Sequence, residues 1–245
     1  MKNVELPNIK LIDNDEIEVF GYKIYEDVFL TRLTNYFSEK RKKILNFFRL
    51  DNYEKVRINL FDNLETLNKF SSRFITLSPY HKGDCCGDMI NYFCDDTLLQ
   101  DYFKTGYLIA SLSHEFVHMV YHDTIKGNSC VWLEEGLATY LSGQKGFFEL
   151  NKENYMDFLK KHILNAELPT LEFLHHRGGK YGQFVDMETG KYDGYYFSYG
   201  LVRYLYEEKG HQFILDIIKN KENLEKLEET LFIDYLKYAK LYSCN

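Results

Sequence analysis

The sequence predicts an α+β protein in which a mixed sheet with its helices comes first and a mainly helical part follows. Strand-type segments, alternating or continuously apolar, lie within residues 16–93. From residue 97 onward the apolar residues recur at every third or fourth place instead. The chain has 245 residues, 45% of them hydrophobic, which is ample for a buried core.

The elements follow in order. "EIEVFGYKIYED" (16–27) alternates and breaks at Gly21, as a hairpin or bent strand does. "FLTRLTNYFSEKRKKILNFFRL" (29–50) has helical periodicity. Its basic cluster "EKRKK" (39–43) reads as a solvated helix face. "KVRINLFD" (55–62) is a strand, "NLETLNKFSS" (63–72) a short helix and "FITLS" (74–78) a further strand before Pro79. "HKGDCCGDMINYFCDD" (81–96) opens as a Gly-rich loop and becomes strand at Met89–Phe93. A long helix is expected over 97–127, capped by Thr97 and closed by Gly127. Helices then follow at 131–143, 152–164, 195–210, 211–220 and 222–242, with a five-glycine loop at 177–194. The division expected is an α/β subdomain at 1–125 and a helical subdomain at 126–245, acting as a single unit.

Composition excludes several classes. The formal charge of −7 and the absence of basic runs interleaved with aromatics argue against nucleic acid and anionic membranes as partners. No stretch is long and apolar enough for a membrane span, and the first twenty residues lack a signal-peptide core. Five cysteines, two of them adjacent and none in a CxxC pair, fit reduced thiols in the cytoplasm. The missing CxxC also argues against a cysteine-built zinc site.

The chemistry concentrates in "SLSHEFVHMVYH" (111–122). His114, Glu115 and His118 form H-E-x-x-H. On a helix, positions four apart share a face, so two imidazoles can grip one Zn2+ ion. Glu115, at the edge of that face, is placed to act as a base on water rather than as a ligand. Leu112, Phe116, Val117, Met119 and Val120 would bury the helix, and a buried His/Glu/His face calls for a metal or a polar network. His122 continues the four-residue spacing, but on a straight helix it points along the axis, so it reads not as a ligand but as a residue behind the ligands or on the surface. A third ligand is needed, and "VWLEEGLATYLSG" (131–143) offers Glu134 or Glu135, one facing the site and the other solvent.

"HEFVH", a gap of 16 residues and then "WLEEGLATY" resembles the glutamate zincins, the peptidase MA-like proteins and the zinc aminopeptidases in particular. The resemblance spans roughly residues 85–210. It implies a zincin-like fold and a zinc-dependent peptidase. It implies His114, His118 and Glu135 as ligands of one zinc ion, Glu135 being the glutamate directly before glycine. It implies Glu115 as general base. "YYFSYGLVRYL" aligns with the segment that carries the family's oxyanion-supporting tyrosine. That makes Tyr195 the counterpart, with Tyr196 and Tyr199 as rivals. "GDMIN" stands where the aminopeptidases have the strand that pairs with substrate, so Gly87, Asp88, Met89, Ile90 and Asn91 are the implied substrate contacts. Ile90 replaces the glutamate that holds a substrate's free amino terminus. The expected activity is therefore an endopeptidase acting on peptide or protein chains, with Asp88 as the remaining acidic candidate; the alternatives are a catalytically silent binding protein on the same scaffold and a zinc hydrolase of a non-peptide substrate. The aspartate found four places after the glutamate ligand in thermolysin-type relatives is Thr139 here. His175 and His176 read as surface or helix-terminal, and His81, His162 and His211 as structural.

Overall fold

A computed structural model describes residues 5–72, 82–96, 106–125, 130–143, 170–175 and 194–243. The strand expected at 74–78, the Thr97 cap, the helix at 152–164 and nearly all of the loop at 177–194 lie outside the described residues, as do His81, His162, His176 and Cys244. The chain divides into two compact units, Met1–Val120 and Tyr121–Asn245.

The first unit holds a five-stranded mixed sheet in the order β1-β2-β3-β5-β4. Its strands are β1 (Ile9–Asp13), β2 (Ile17–Gly21), β3 (Val56–Phe61), β4 (Gly83–Cys86) and β5 (Met89–Phe93). β2, β3 and β5 run parallel, while β1 and β4 lie antiparallel on the two flanks. The central strands carry the apolar residues: Ile17, Val19, Ile58, Leu60 and Ile90 are wholly buried. Each such side chain contributes about 1.5–3 kcal/mol by leaving water.

Two strands differ from expectation. β1 supplies the antiparallel partner of β2, so residues 16–27 are neither a hairpin nor a bent strand; β2 simply ends at Gly21. β1 is hard to read in the sequence because it is a flank strand with no fully buried residue and a register shift between Lys10 and Ile12 interrupts its alternation. β4 forms where a loop was expected. "GDCC" lacks strand-forming side chains, and its conformation comes from pairing with β5 across a two-residue turn at Gly87–Asp88.

Helix α1 (Asp27–Phe48) buries Phe29, Leu33, Phe37, Ile44 and Phe48, a stripe at helical spacing. Arg41 belongs to that stripe, which corrects the reading of "EKRKK" as a solvated face. Arg41 is buried, donates from Nη2 to the carbonyls of Tyr53 (2.5 Å) and Glu54 (3.2 Å), and lies over the rings of Tyr53 and Phe116. Lys42 and Lys43 do face solvent. Helix α2 (Leu64–Ser71) begins at Asn63, whose side chain accepts from the Thr66 amide.

Helix α3 (Tyr107–Thr124) starts later than the pattern suggested. Gly106 takes a φ of +69°, outside the helical range, so no helix runs unbroken through it. Its carbonyl still accepts the first helical bond, from the Ala110 amide. The boundary between the units falls inside α3, between Val120 and Tyr121.

The second unit is helical among the described residues. It contains α4 (Val131–Ser142), α5 (Leu171–Leu174), α6 (Gly194–Tyr204), α7 (His211–Lys219) and α8 (Lys221–Ser243). α6 runs on into a wider, π-type stretch at Leu205–Lys209 before Gly210. Trp132, Leu137, Phe197, Val202, Ile214 and Tyr235 form its core. Among the described residues no helix is long and apolar enough to cross a membrane.

Candidate metal centre

α3 is held by its apolar faces. Within the first unit Phe116 packs against Phe37 (5.7 Å between centroids) and edge-on against Tyr53 (5.3 Å). Leu112, Val117 and Val120 are fully buried. That burial fixes the rotation of the helix and with it the histidines. His114 and His118 are 6% and 5% exposed, and their rings meet edge to face one turn apart with centroids at 4.7 Å. Glu115, next to His114, is half-buried.

α4 begins at Cys130, which has extended backbone, and ends where Gly143 turns left-handed. Every residue from Trp132 to Thr139 is buried. Glu135 is 6% exposed. One ligand atom each from His114, His118 and Glu135 lie within 4.8 Å of one another. Two imidazoles and a carboxylate at that separation are the donor set that zinc takes in open, three-ligand sites. A buried carboxylate is otherwise costly unless a positive charge or a set of donors meets it.

Glu134 does not face solvent, contrary to the expectation that one of the two glutamates would. It is wholly buried, and its Oε1 lies 2.9 Å from His122 Nε2. His122, exposed over 46% of its side chain, is therefore neither a third ligand nor an idle surface group. It ties the last turn of α3 to α4, the helix that presents Glu135. The four-residue spacing showed where His122 would point, but nothing local in the sequence showed that Glu134 would meet it.

The glycine after Glu135 has a packing reason. A Cβ on Gly136 would stand 2.4 Å from the Ser198 carbonyl oxygen, so only glycine lets α6 approach α4 this closely. Tyr195 lies one turn ahead of Ser198 on the same helix and is half-buried. Its rivals Tyr196 and Tyr199 are each 6% exposed, and Tyr199 stacks on Tyr140.

The strand expected to pair with substrate is interior. β5 is bonded on one side to β3 and on the other to β4, so its backbone is already engaged. Pairing by Gly87–Asn91 is corrected on that ground. Gly87 and Asp88 form the hairpin turn, Ile90 is wholly buried, and Met89 is only partly exposed. Asn91 is also buried: its Nδ2 donates to Asp84 Oδ1 (3.0 Å) and its Oδ1 accepts from Asn59 Nδ2 (2.9 Å). Among the described residues the outermost strand beside β5 is β4.

Compared with known proteins, the chain matches no protein-family model and no curated protein.

Proposed function

We propose that this chain is a zinc-dependent peptidase of the glutamate-zincin kind that cuts within peptide or protein chains. The observation that carries the reading is the convergence of His114, His118 and Glu135 within 4.8 Å, with Glu115 beside the first histidine. The donor set and burial fit one zinc ion. A zinc ion held there supplies Lewis acidity, which acidifies water toward neutral pH and polarises a carbonyl.

The chain's own residues do the rest. Glu115 accepts a proton at its carboxylate from the attacking water and returns it to the leaving amine. The Tyr195 hydroxyl donates to the carbonyl oxygen as charge develops on it, a contribution of about 3 kcal/mol for a well-placed donor. Ile90, apolar and buried where aminopeptidases carry a terminal-amine glutamate, favours internal cleavage. Cys86, Cys94 and Cys130, none of them in a disulfide, fit work in the reducing cytoplasm. The net charge of −7 keeps nucleic acid and anionic membranes off the list of partners.

The test pairs metal content with cleavage of an unstructured protein substrate. Purified protein is expected to hold zinc and cleave, and Glu115→Gln to keep the zinc and lose cleavage. A well-folded preparation that binds no zinc would sink the reading.

A further inference from the structure

We infer that Cys130, His175 and Glu228 form a second metal site, suited to a thiophilic divalent cation such as zinc. It is built wholly within the second unit and shares no residue with the His114–His118–Glu135 group. Cys130 is the residue at the start of α4, His175 ends α5, and Glu228 lies on α8. Their ligand atoms all lie within 4.8 Å of one another.

The separations suit an ion. With zinc–sulfur bonds of about 2.3 Å and zinc–nitrogen or zinc–oxygen bonds of about 2.0–2.2 Å, tetrahedral ligands stand about 3.5 Å (S to O) and about 3.3 Å (N to O) apart. Cys130 Sγ is 3.6 Å from Glu228 Oε1, already in range. His175 Nε2 is 2.9 Å from the same oxygen, so that contact must open by about 0.4 Å. His175 has the freedom to do this, since its side chain is 38% exposed. The same exposure gives a cation a way in and leaves a position for water.

Without metal, one carboxylate oxygen accepts from three donors: the Cys130 thiol, the His175 ring and the Trp132 indole. A divalent cation takes the place of two of these hydrogens. The thiol proton leaves to solvent, and a second leaves where the ring is imidazolium. The set then becomes one thiolate, one carboxylate and one neutral imidazole around a double positive charge, which balances. The Trp132 N–H stays on Glu228 and orients it, as outer partners of metal ligands do. A mixed Cys/His/Glu site needs no CxxC pair, so the absence of that motif does not count against it. Bound metal would fasten the start of α4, five residues before Glu135.

Cobalt(II) distinguishes this site from the other, because only a cysteine-bound ion gives thiolate-to-cobalt charge-transfer absorption in the near ultraviolet. Chelator-stripped full-length protein is titrated with cobalt(II). A charge-transfer band saturating at one equivalent of its own is expected, bleached by zinc and unchanged in Cys85→Ser/Cys86→Ser. Cys130→Ser should abolish it, and His175→Gln should weaken cobalt binding by about 100-fold or more. No band at saturating cobalt, or a band that survives Cys130→Ser, overturns the inference. If Cys130→Ser loses its far-ultraviolet circular dichroism, His175→Gln decides alone, and unchanged affinity in it is equally fatal. None of these readouts requires zinc at His114, His118 and Glu135, or any cleavage.

Discussion

The two clusters of ligand-type side chains differ in how the chain builds them. His114 and His118 are one helical turn apart, and Glu135 follows 17 positions later on the next described helix. Cys130, His175 and Glu228 are separated by 45 and 53 positions and come from three elements. The first group is buried throughout; the second is open on the His175 side. Burial strips water from the first group, where electrostatic effects on a reacting bond are strongest. Exposure suits the second to holding helices together and exchanging an ion with solvent. Local spacing builds the first; only tertiary packing builds the second.

The largest effect expected from breaking this contrast is at Glu115. Glu115→Gln should lower cleavage by about 10²–10⁴-fold, the range for a lost acid–base group, while zinc content stays that of the parent. Steady-state kinetics beside elemental analysis checks it. Equal loss of zinc and activity would make Glu115 a structural residue instead.

Gly136→Ala tests the close approach of α6 to α4, the helix that carries Glu135. The new methyl group would meet a backbone carbonyl, which cannot swing aside. Urea unfolding should show a loss of about 1–3 kcal/mol, typical of overpacking. A neutral result would mean that α4 and α6 are less closely packed than 2.4 Å implies.

Asn91→Ala separates scaffold from site in the first unit. Leaving Asn59 and Asp84 without their shared partner should cost about 1–3 kcal/mol in stability. If the folded variant cleaves as proposed, its KM should match that of the parent. A raised KM with full stability would return Asn91 to the substrate-contact set.

These positions also show what was legible. The H-E-x-x-H face could be read because helical periodicity and ligand spacing coincide within five residues. Glu135 needed the glycine after it and the family resemblance, because Glu134 is chemically identical and equally flanked by apolar residues. The central strand β3 is legible because Val56, Ile58 and Leu60 alternate with Arg57 and Asn59. β4 is not, because "GDCC" becomes strand only by pairing with β5. For the same reason the interior position of β5 is not legible: sequence locates a strand but not its neighbours in the sheet. Arg41 is not legible in the sequence, because a guanidinium that is buried, bonded to two carbonyls and set over two rings looks locally like any member of a basic run.

The smallest effect expected is the pH response of the His175–Glu228 pair in chelator-treated protein. The hydrogen bond to Glu228 raises His175 above the ordinary value of 6.5, against a smaller opposing effect of burial. Burial pushes the Glu228 carboxyl up, but hydrogen bonds from His175 and Trp132, with the His175 charge, hold it below 4.5. The His175 share of stability is thus full below 6.5 and lost as pH rises through its folded pKa. The Glu228 share is full above 4.5 and lost as pH falls through its lowered one. Stability from the pair should peak between those values, by about 1 kcal/mol or less given the solvent around His175. Unfolding of His175→Gln across that range should be flatter than that of the parent.

The most direct measurement is an anomalous difference map at the zinc edge from crystals of the full chain grown with zinc. The account predicts a peak bonded to His114, His118 and Glu135, with Glu134 on His122 and outside the coordination shell. A well-ordered map with no density among those three side chains, or with Glu134 in place of Glu135, would contradict it.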